Sequence, residues 1–154
     1  MTTHEIVVPV EDKWFDLEID NDKNPLAIVL SAGHSAYNWE YLGPELRGRQ
    51  TYQVKLVRLG YVCNVERARR KANALGYRLV GGHAREPFKA KFPNNDRKGP
   101  VIFGASEWKD SYDEVVVASL DGFEGGWNES FSVSGGYFGK ACRWLVVSKQ
   151  LSNI

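Results

Sequence analysis

Apolar and polar positions follow a two-residue period near the start of the chain, which predicts β-strands there. Residues 14–19 alternate apolar and acidic side chains, and residues 52–59 alternate in the same way. Residues 5–10 are expected to form an edge strand, because Pro9 lacks the N–H that a central strand needs. The apolar run at 26–30 is too short to distinguish a strand from a buried helix. The first third therefore reads as mainly β.

The period changes to that of a helix over residues 65–75. Asn64 is a favourable N-cap residue, and Gly76 suits the left-handed position that ends many helices. At 100° per residue, one face is apolar and carries Val65, Ala68, Ala72 and Leu75. The opposite face is basic and carries Arg67, Arg70 and Lys71. The apolar face is expected to pack on a sheet, which leaves the basic face for solvent or a partner.

After this helix the pattern returns to β. A short strand at 77–80 and a second short helix at 83–91 are followed by further strands at 101–103, 115–120, 127–133 and 142–148. A turn is expected at Asp121-Gly122, and the glycine-rich segments are expected to be hairpin loops. The sequence thus predicts a single α+β domain over residues 1–154, β-rich, with one or two short helices in the middle of the chain.

Charge is segregated along the chain, although the net charge is only +1. Residues 1–46 carry nine acidic and two basic side chains, whereas residues 47–98 carry fourteen basic and three acidic side chains. Such blocks of one sign attract oppositely charged partners. The alternative is that the acidic opening segment lies across the basic middle and neutralises it.

The segment 33–48 is polar, aromatic and punctuated by glycine, and we expect a long loop there. It contains Tyr37, Trp39 and Tyr41, residue types that are frequent at recognition hot spots. This loop is therefore a candidate binding edge. Trp108, Trp127 and Trp144 are expected to lie in the core instead.

Candidate chemistry is sparse. The three histidines, His4, His34 and His83, lack the spacing of a local metal site, and there is no nucleophile-elbow pattern. The best acid–base pair is His83 with Glu86, three residues apart, and His34 lies in a small-residue loop. No metal site and no cofactor is predicted.

The start of the sequence has no pattern of a secretory signal, and no apolar run reaches the length of a membrane span. We therefore expect a cytoplasmic protein that does not associate with membranes. Cys63 and Cys142 are expected to be reduced core residues.

Residues 65–148 resemble the C-type-lectin-like fold in its bacterial and phage form. The likeness rests on ALGYRL at 74–79, on GASEW at 104–108 ahead of an apolar strand, and on the closing CRWLVV at 142–147. The resemblance implies a binding module for sugars, proteins or phage receptors that recognises its ligand through long loops. The sequence lacks the paired disulfides and the calcium-and-sugar motif of classical lectins, so calcium-dependent sugar binding is not implied.

The leading hypothesis is a non-catalytic interaction domain that recognises a protein with an acidic surface, or a small ligand. Its binding residues would be Arg67, Arg70, Lys71, Tyr37, Trp39 and Tyr41. Three alternatives remain: a phage or mobile-element inhibitor of a host nucleic-acid machine, a small hydrolase-type enzyme using His83 and Glu86, and a nucleic-acid-binding protein. The last would contact phosphates through Arg67, Arg70 and Lys71, with Arg69 at the flank, and stack bases on exposed aromatic residues such as Tyr77. The sequence makes no prediction of the oligomeric state.

Overall fold

The computed structural model describes residues 6–150, which form a curled, strand-rich sheet with three short helices. The strands are β1 Phe15–Asp20, β2 Glu40–Gly43, β3 Arg49–Arg58, β4 Tyr77–Leu79, β5 Val101–Lys109, β6 Val115–Phe123, β7 Gly126–Val133 and β8 Arg143–Ser148. The helices are α1 Pro25–Ser31, α2 Val65–Ala74 and α3 Arg85–Lys91, and a 3-10 turn over Gly82–Ala84 leads into α3. The α+β class is therefore confirmed, with β structure dominant.

The closing strand β8 lies in the interior of the sheet. The strand order is β1, β3, β8, β5, β6, β7, with β2 added on β5 and β4 added on β8. All described pairs are antiparallel except β5 with β8. The last strand consequently joins the part of the sheet built from the first third of the chain to the part built from the last third.

The sheet buries both of its faces, and each face belongs to a different part of the core. In β8, Leu145 and Val147 point to one cluster while Trp144 and Val146 point to the other, as the two-residue period requires. The front face, as we name it, packs against α1 and α3. The back face packs against α2. Residues on these helices therefore lie on opposite sides of the sheet.

Helix α2 forms for the reasons that the sequence indicates. The Asn64 side chain accepts a hydrogen bond from the Arg67 backbone N–H at 2.8 Å, and Gly76 adopts a left-handed φ of 88°. Val65, Ala68 and Ala72 are fully buried. Leu75 was expected on the same face, but it lies one residue beyond the helix and is 58% exposed.

Three other expectations about local structure are wrong. Residues 6–10 form no strand, because Val7 is held by Asn94 of a distant loop, while residue 5 lies outside the described range. The segment 33–48 is not a continuous loop, since β2 lies within it. The turn expected at residues 121–122 instead lies at 124–125, between β6 and β7.

Two arginines are buried and act as internal cross-links. Arg143, on β8, donates to both carboxylate oxygens of Asp96 and to the carbonyl oxygen of Gly99. Its side chain is fully buried, and that of Asp96 is 6% exposed. This contact ties the loop before β5 to the centre of the sheet.

Arg85 makes the second cross-link, on the front face. Its guanidinium donates to the carbonyl oxygens of Ile28 and Ser130, and it lies 4.9 Å from the centre of the Phe131 ring. Glu129 is 3.8 Å away. Burial lowers the pKa of Arg85 to about 10, so the side chain remains charged at neutral pH. The arginine thereby joins α1, α3 and β7.

A pH-dependent contribution to stability is expected from Glu11. Its carboxylate accepts hydrogen bonds from Arg58 at 2.8 and 3.0 Å, and this hydrogen bonding lowers the pKa of Glu11 below its ordinary value of 4.5. The contribution is complete above that value and is lost as the pH falls through the lower, folded-state pKa. We expect the difference in free energy of unfolding between the wild type and Glu11→Gln to be constant near neutral pH and to shrink below about pH 4.

Urea unfolding measured from neutral to acidic pH tests this expectation. Glu124→Gln, which removes an exposed carboxylate on the β6–β7 turn, is the control and should show no such trend. The prediction is wrong if the free energies of unfolding of the wild type and Glu11→Gln differ by the same amount at pH 7 and at pH 3.

Candidate functional site

The basic side chains of α2 face away from the sheet and line a shallow groove. Arg67, Arg70 and Lys71 are all exposed. Together with Tyr61, Val62 and Cys63 they enclose about 440 Å³. We call this set of residues the basic groove. The prediction that α2 presents Arg67, Arg70 and Lys71 together on one surface matches this geometry.

Two exposed tyrosines stand beside the groove. Tyr61 and Tyr137 are 56% and 77% exposed, and their rings stack with centroids 5.8 Å apart and planes inclined by 25°. They are positioned by an antiparallel bridge in which the Val62 and Phe138 backbones exchange hydrogen bonds of 2.9 and 3.0 Å. The buried Phe138 ring in turn packs on Trp144. We call Tyr61 and Tyr137 the tyrosine pair.

The sequence reading missed the tyrosine pair. Tyr61 lies just before the N-cap of α2, where an exposed aromatic residue carries no recognisable pattern. Tyr137 lies far along the chain, in a glycine-rich segment that indicates only a turn. Only the bridge between the two loops brings them together, and no local signal predicts it.

The acidic residues that the structure describes in the opening segment do not neutralise the groove. Glu11 pairs with Arg58, and Glu18 and Asp20 pair with Arg49, so these carboxylates bind to the two ends of β3. Within the groove, Arg70 pairs with Glu66 of its own helix at 3.3 Å. Across residues 6–150, neither Arg67 nor Lys71 forms an ion pair. Carboxylates of the opening segment therefore neutralise the two arginines of β3, and the basic face of α2 stays exposed.

The aromatic residues of the segment 33–48 do not form one exposed patch. Trp39 packs on Phe131 with centroids 5.0 Å apart, and Tyr41 packs on Trp108 at 5.1 Å. Only Tyr37 is largely free, with 77% of its surface exposed. Trp39 and Tyr41 belong to the front-face core, whereas α2 belongs to the back face. The structure thus separates the two parts of the predicted binding surface.

Of the residues considered for catalysis, His83 and Glu86 line one open depression between β1 and α3, together with Lys23. His83 Nε2 lies 3.0 Å from the carbonyl oxygen of Lys23, and burial lowers the pKa of His83. Glu86 forms an exposed ion pair with Lys23, and no hydrogen bond joins it to His83 within the described range. His34 lies apart from both, against Trp39 and Phe131. Among residues 6–150 no group of three or more His, Cys, Asp and Glu could hold a metal ion, and His4 is outside that range.

The additional residues considered for nucleic-acid contact are engaged within the protein. Arg69 donates to the carbonyl oxygen of Gly104 and to Glu107 at 2.9 Å. The Tyr77 ring packs edge-on against Trp14, and the Lys55 ammonium lies 4.7 Å from its centre. These two side chains are therefore occupied within the protein, whereas the exposed Arg78 of β4 and Lys149, whose Nζ donates to Asn73 Oδ1 of α2, add positive charge beside the helix.

Of the helices in the described part of the chain, none has the length and apolar character needed to cross a membrane. Both cysteines are free thiols, with Cys142 buried and Cys63 partly exposed at the groove. Trp108, Trp127 and Trp144 are buried, as predicted.

No protein-family model, no curated protein and no solved structure matches this chain. The function must therefore be argued from the chemistry of the site.

Proposed function

We propose that the protein is a non-catalytic binding domain that recognises an acidic surface on a protein partner through the basic groove and the tyrosine pair. The observation that carries the proposal is the pair of cations without ion-pair partners, Arg67 and Lys71, beside two exposed stacked rings. Positive groups left unpaired at a surface raise the rate of encounter with acidic partners.

The composition and rigidity of this surface favour a protein partner. Arginine and tyrosine are the residue types most enriched at binding hot spots, where they supply large contact area and hydrogen bonds. The groove is built on a helix whose apolar face is fully buried, and the tyrosine pair is fixed by the bridge beside it. Little backbone freedom would be lost on binding, which preserves affinity.

The charge balance of this surface distinguishes this proposal from nucleic-acid binding. A protein that follows a nucleic-acid backbone needs a track of cations, and its affinity then depends steeply on salt. Here Glu66 lies within the basic face, Arg69 is engaged internally, and the net charge is +1. These features suit a local patch that meets a few carboxylates.

The test is a triple charge reversal, Arg67→Glu/Arg70→Glu/Lys71→Glu, assayed against two defined probes. The probes are a twenty-residue polyglutamate peptide and a dT20 oligonucleotide, each titrated by fluorescence anisotropy at two salt concentrations. We expect the wild type to bind the peptide and the triple variant to bind at least about tenfold more weakly, because three favourable contacts become repulsive. Circular dichroism establishes that the variant remains folded.

The matched control is Lys13→Glu/Arg47→Glu/Lys140→Glu, which changes the net charge equally at exposed positions outside the groove. It should retain most of the peptide affinity. Equal losses in the two triple variants would show that only overall charge matters. If the wild type binds dT20 more tightly than the peptide, and the groove reversal abolishes that binding, the ligand of the groove is nucleic acid and not a protein.

We also infer a distant relationship of residues 65–148 to the C-type-lectin-like fold. The support is the order of elements, with two short helices ahead of the later strands and an apolar closing strand in the interior of the sheet. A lectin-like protein whose corresponding strands pair in a different order would argue against the relationship. Tyr37 stays a predicted contact of a separate, front-face surface.

A further inference from the structure

A narrow slot on the front face lies apart from the basic groove. It opens between the ends of β1 and β3 on one side and β5 on the other, and it encloses about 60 Å³. A single water molecule needs roughly 10–15 Å³, so the slot has room for a larger guest. Its walls are apolar and include Ile19, Leu79 and Val147. Pro44 and Leu46, from the connection between β2 and β3, form its mouth.

The slot contains a buried polar pair with spare hydrogen-bonding capacity. Asn21 Nδ2 donates to the hydroxyl oxygen of Tyr52 at 2.9 Å, and the two residues are 7% and 6% exposed. Within residues 6–150 neither side chain makes another hydrogen bond, which leaves the Tyr52 hydroxyl proton and Asn21 Oδ1 for a guest. One donor and one acceptor thus lie together in a mainly apolar slot.

The other polar groups of the lining are already engaged. The Tyr41 hydroxyl donates to the Pro44 carbonyl oxygen, Ser106 Oγ accepts from the Gly82 N–H at 2.7 Å, and His83 Nε2 meets the Lys23 carbonyl. These contacts hold the walls in place. The Asn21–Tyr52 pair supplies a donor and an acceptor side by side.

The lining also determines the charge of the guest. No lysine, arginine, aspartate or glutamate among residues 6–150 lines the slot, whereas Lys23, Glu45 and Arg47 line the open depression outside it. Because burial lowers the pKa of His83, its ring is neutral at pH 7. An ion would enter this slot without a charged partner, and the cost of removing it from water would not be offset.

We propose that this slot binds a small uncharged molecule that carries an amide or hydroxyl group on a short apolar body. The polar end donates to Asn21 Oδ1 and accepts from the Tyr52 hydroxyl, while the apolar end packs against Val80 and Val147. Binding here is independent of the basic groove, so the groove reversal should leave it unchanged.

The experiment is a methyl-NMR titration of the full chain with isobutyramide, compared with isobutyrate and isobutylammonium, which have the same shape but carry charge. We expect isobutyramide to give saturable shifts of the Ile19, Val80 and Val147 methyl signals, and the two ions to give none. Tyr52→Phe should weaken isobutyramide binding about threefold to tenfold, since one hydrogen bond is lost. Tyr112→Phe, which alters an exposed hydroxyl outside the slot, is the control and should bind as the wild type does.

Leu46→Ala provides a second variant, at a position that is 38% exposed. It removes part of the apolar mouth and should also weaken binding, by about threefold or more. The proposal is overturned if isobutyramide moves no slot methyl signals, if the charged analogues bind as well, or if neither Tyr52→Phe nor Leu46→Ala changes the affinity.

Discussion

Replacing Asp96 by alanine is expected to lower the free energy of unfolding by about 3–5 kcal/mol. The substitution leaves the Arg143 guanidinium, whose side chain is fully buried, without the carboxylate that holds it through two hydrogen bonds. The nearest remaining carboxylate, that of Glu11, is 3.8 Å from Arg143 Nε, and Gly99 supplies only a neutral carbonyl oxygen. A buried charge without a partner is among the most destabilising changes that a single substitution can make.

Guanidinium-induced unfolding of the single and double variants isolates the pair. Asp96→Ala/Arg143→Met should be more stable than Asp96→Ala alone, because the double variant no longer buries an unpaired cation. Lys98→Ala, at an exposed position two residues away, should change the free energy of unfolding by less than about 0.5 kcal/mol. If the effects of Asp96→Ala and Arg143→Met simply add, the two side chains do not act as a pair.

Arg85→Leu is expected to lower the free energy of unfolding by a similar amount, about 3–5 kcal/mol. It leaves Glu129, whose side chain is 12% exposed, without its neighbouring cation, and it removes the donors to the carbonyl oxygens of Ile28 and Ser130. The stability of Arg85→Lys should lie between that of the wild type and that of the leucine variant, because lysine restores the charge but not the planar set of guanidinium donors.

Thermal unfolding followed by circular dichroism measures this series. Glu86→Gln is the neighbouring control, since its ion pair with Lys23 is exposed and contributes less than about 1 kcal/mol. A leucine variant as stable as the wild type would mean that α1, α3 and β7 are held together by apolar contacts alone.

Local elements of the fold were predictable because their signals are local. The N-cap Asn64, the left-handed Gly76 and the apolar positions between them identify α2 without any knowledge of its surroundings. The residues 6–10 show the opposite case. Their apolar character predicts a strand, but the Val7 backbone forms its hydrogen bonds with Asn94 instead. This contact joins residues that are far apart in the sequence, so no local pattern indicates it.

The candidate site was predictable in part for the same reason. A helical period places Arg67, Arg70 and Lys71 on one face, and this relation survives in the structure. The period gives no information about which face of a sheet an element covers. Strand order places Trp39 and Tyr41 far from α2, and it also brings Tyr61 next to Tyr137. Sequence patterns do not predict strand order.

β8 lies between β3 and β5 in the sheet, although it is synthesised after both of them. Its neighbour β3 is completed at residue 58, whereas β8 begins only at residue 143. Until the ribosome has released that segment, β3 and β5 have no strand between them, and their apolar side chains stay uncovered. A nascent chain of this kind depends on late, long-range closure, which is slow and leaves the unfinished product vulnerable to aggregation and chaperone capture.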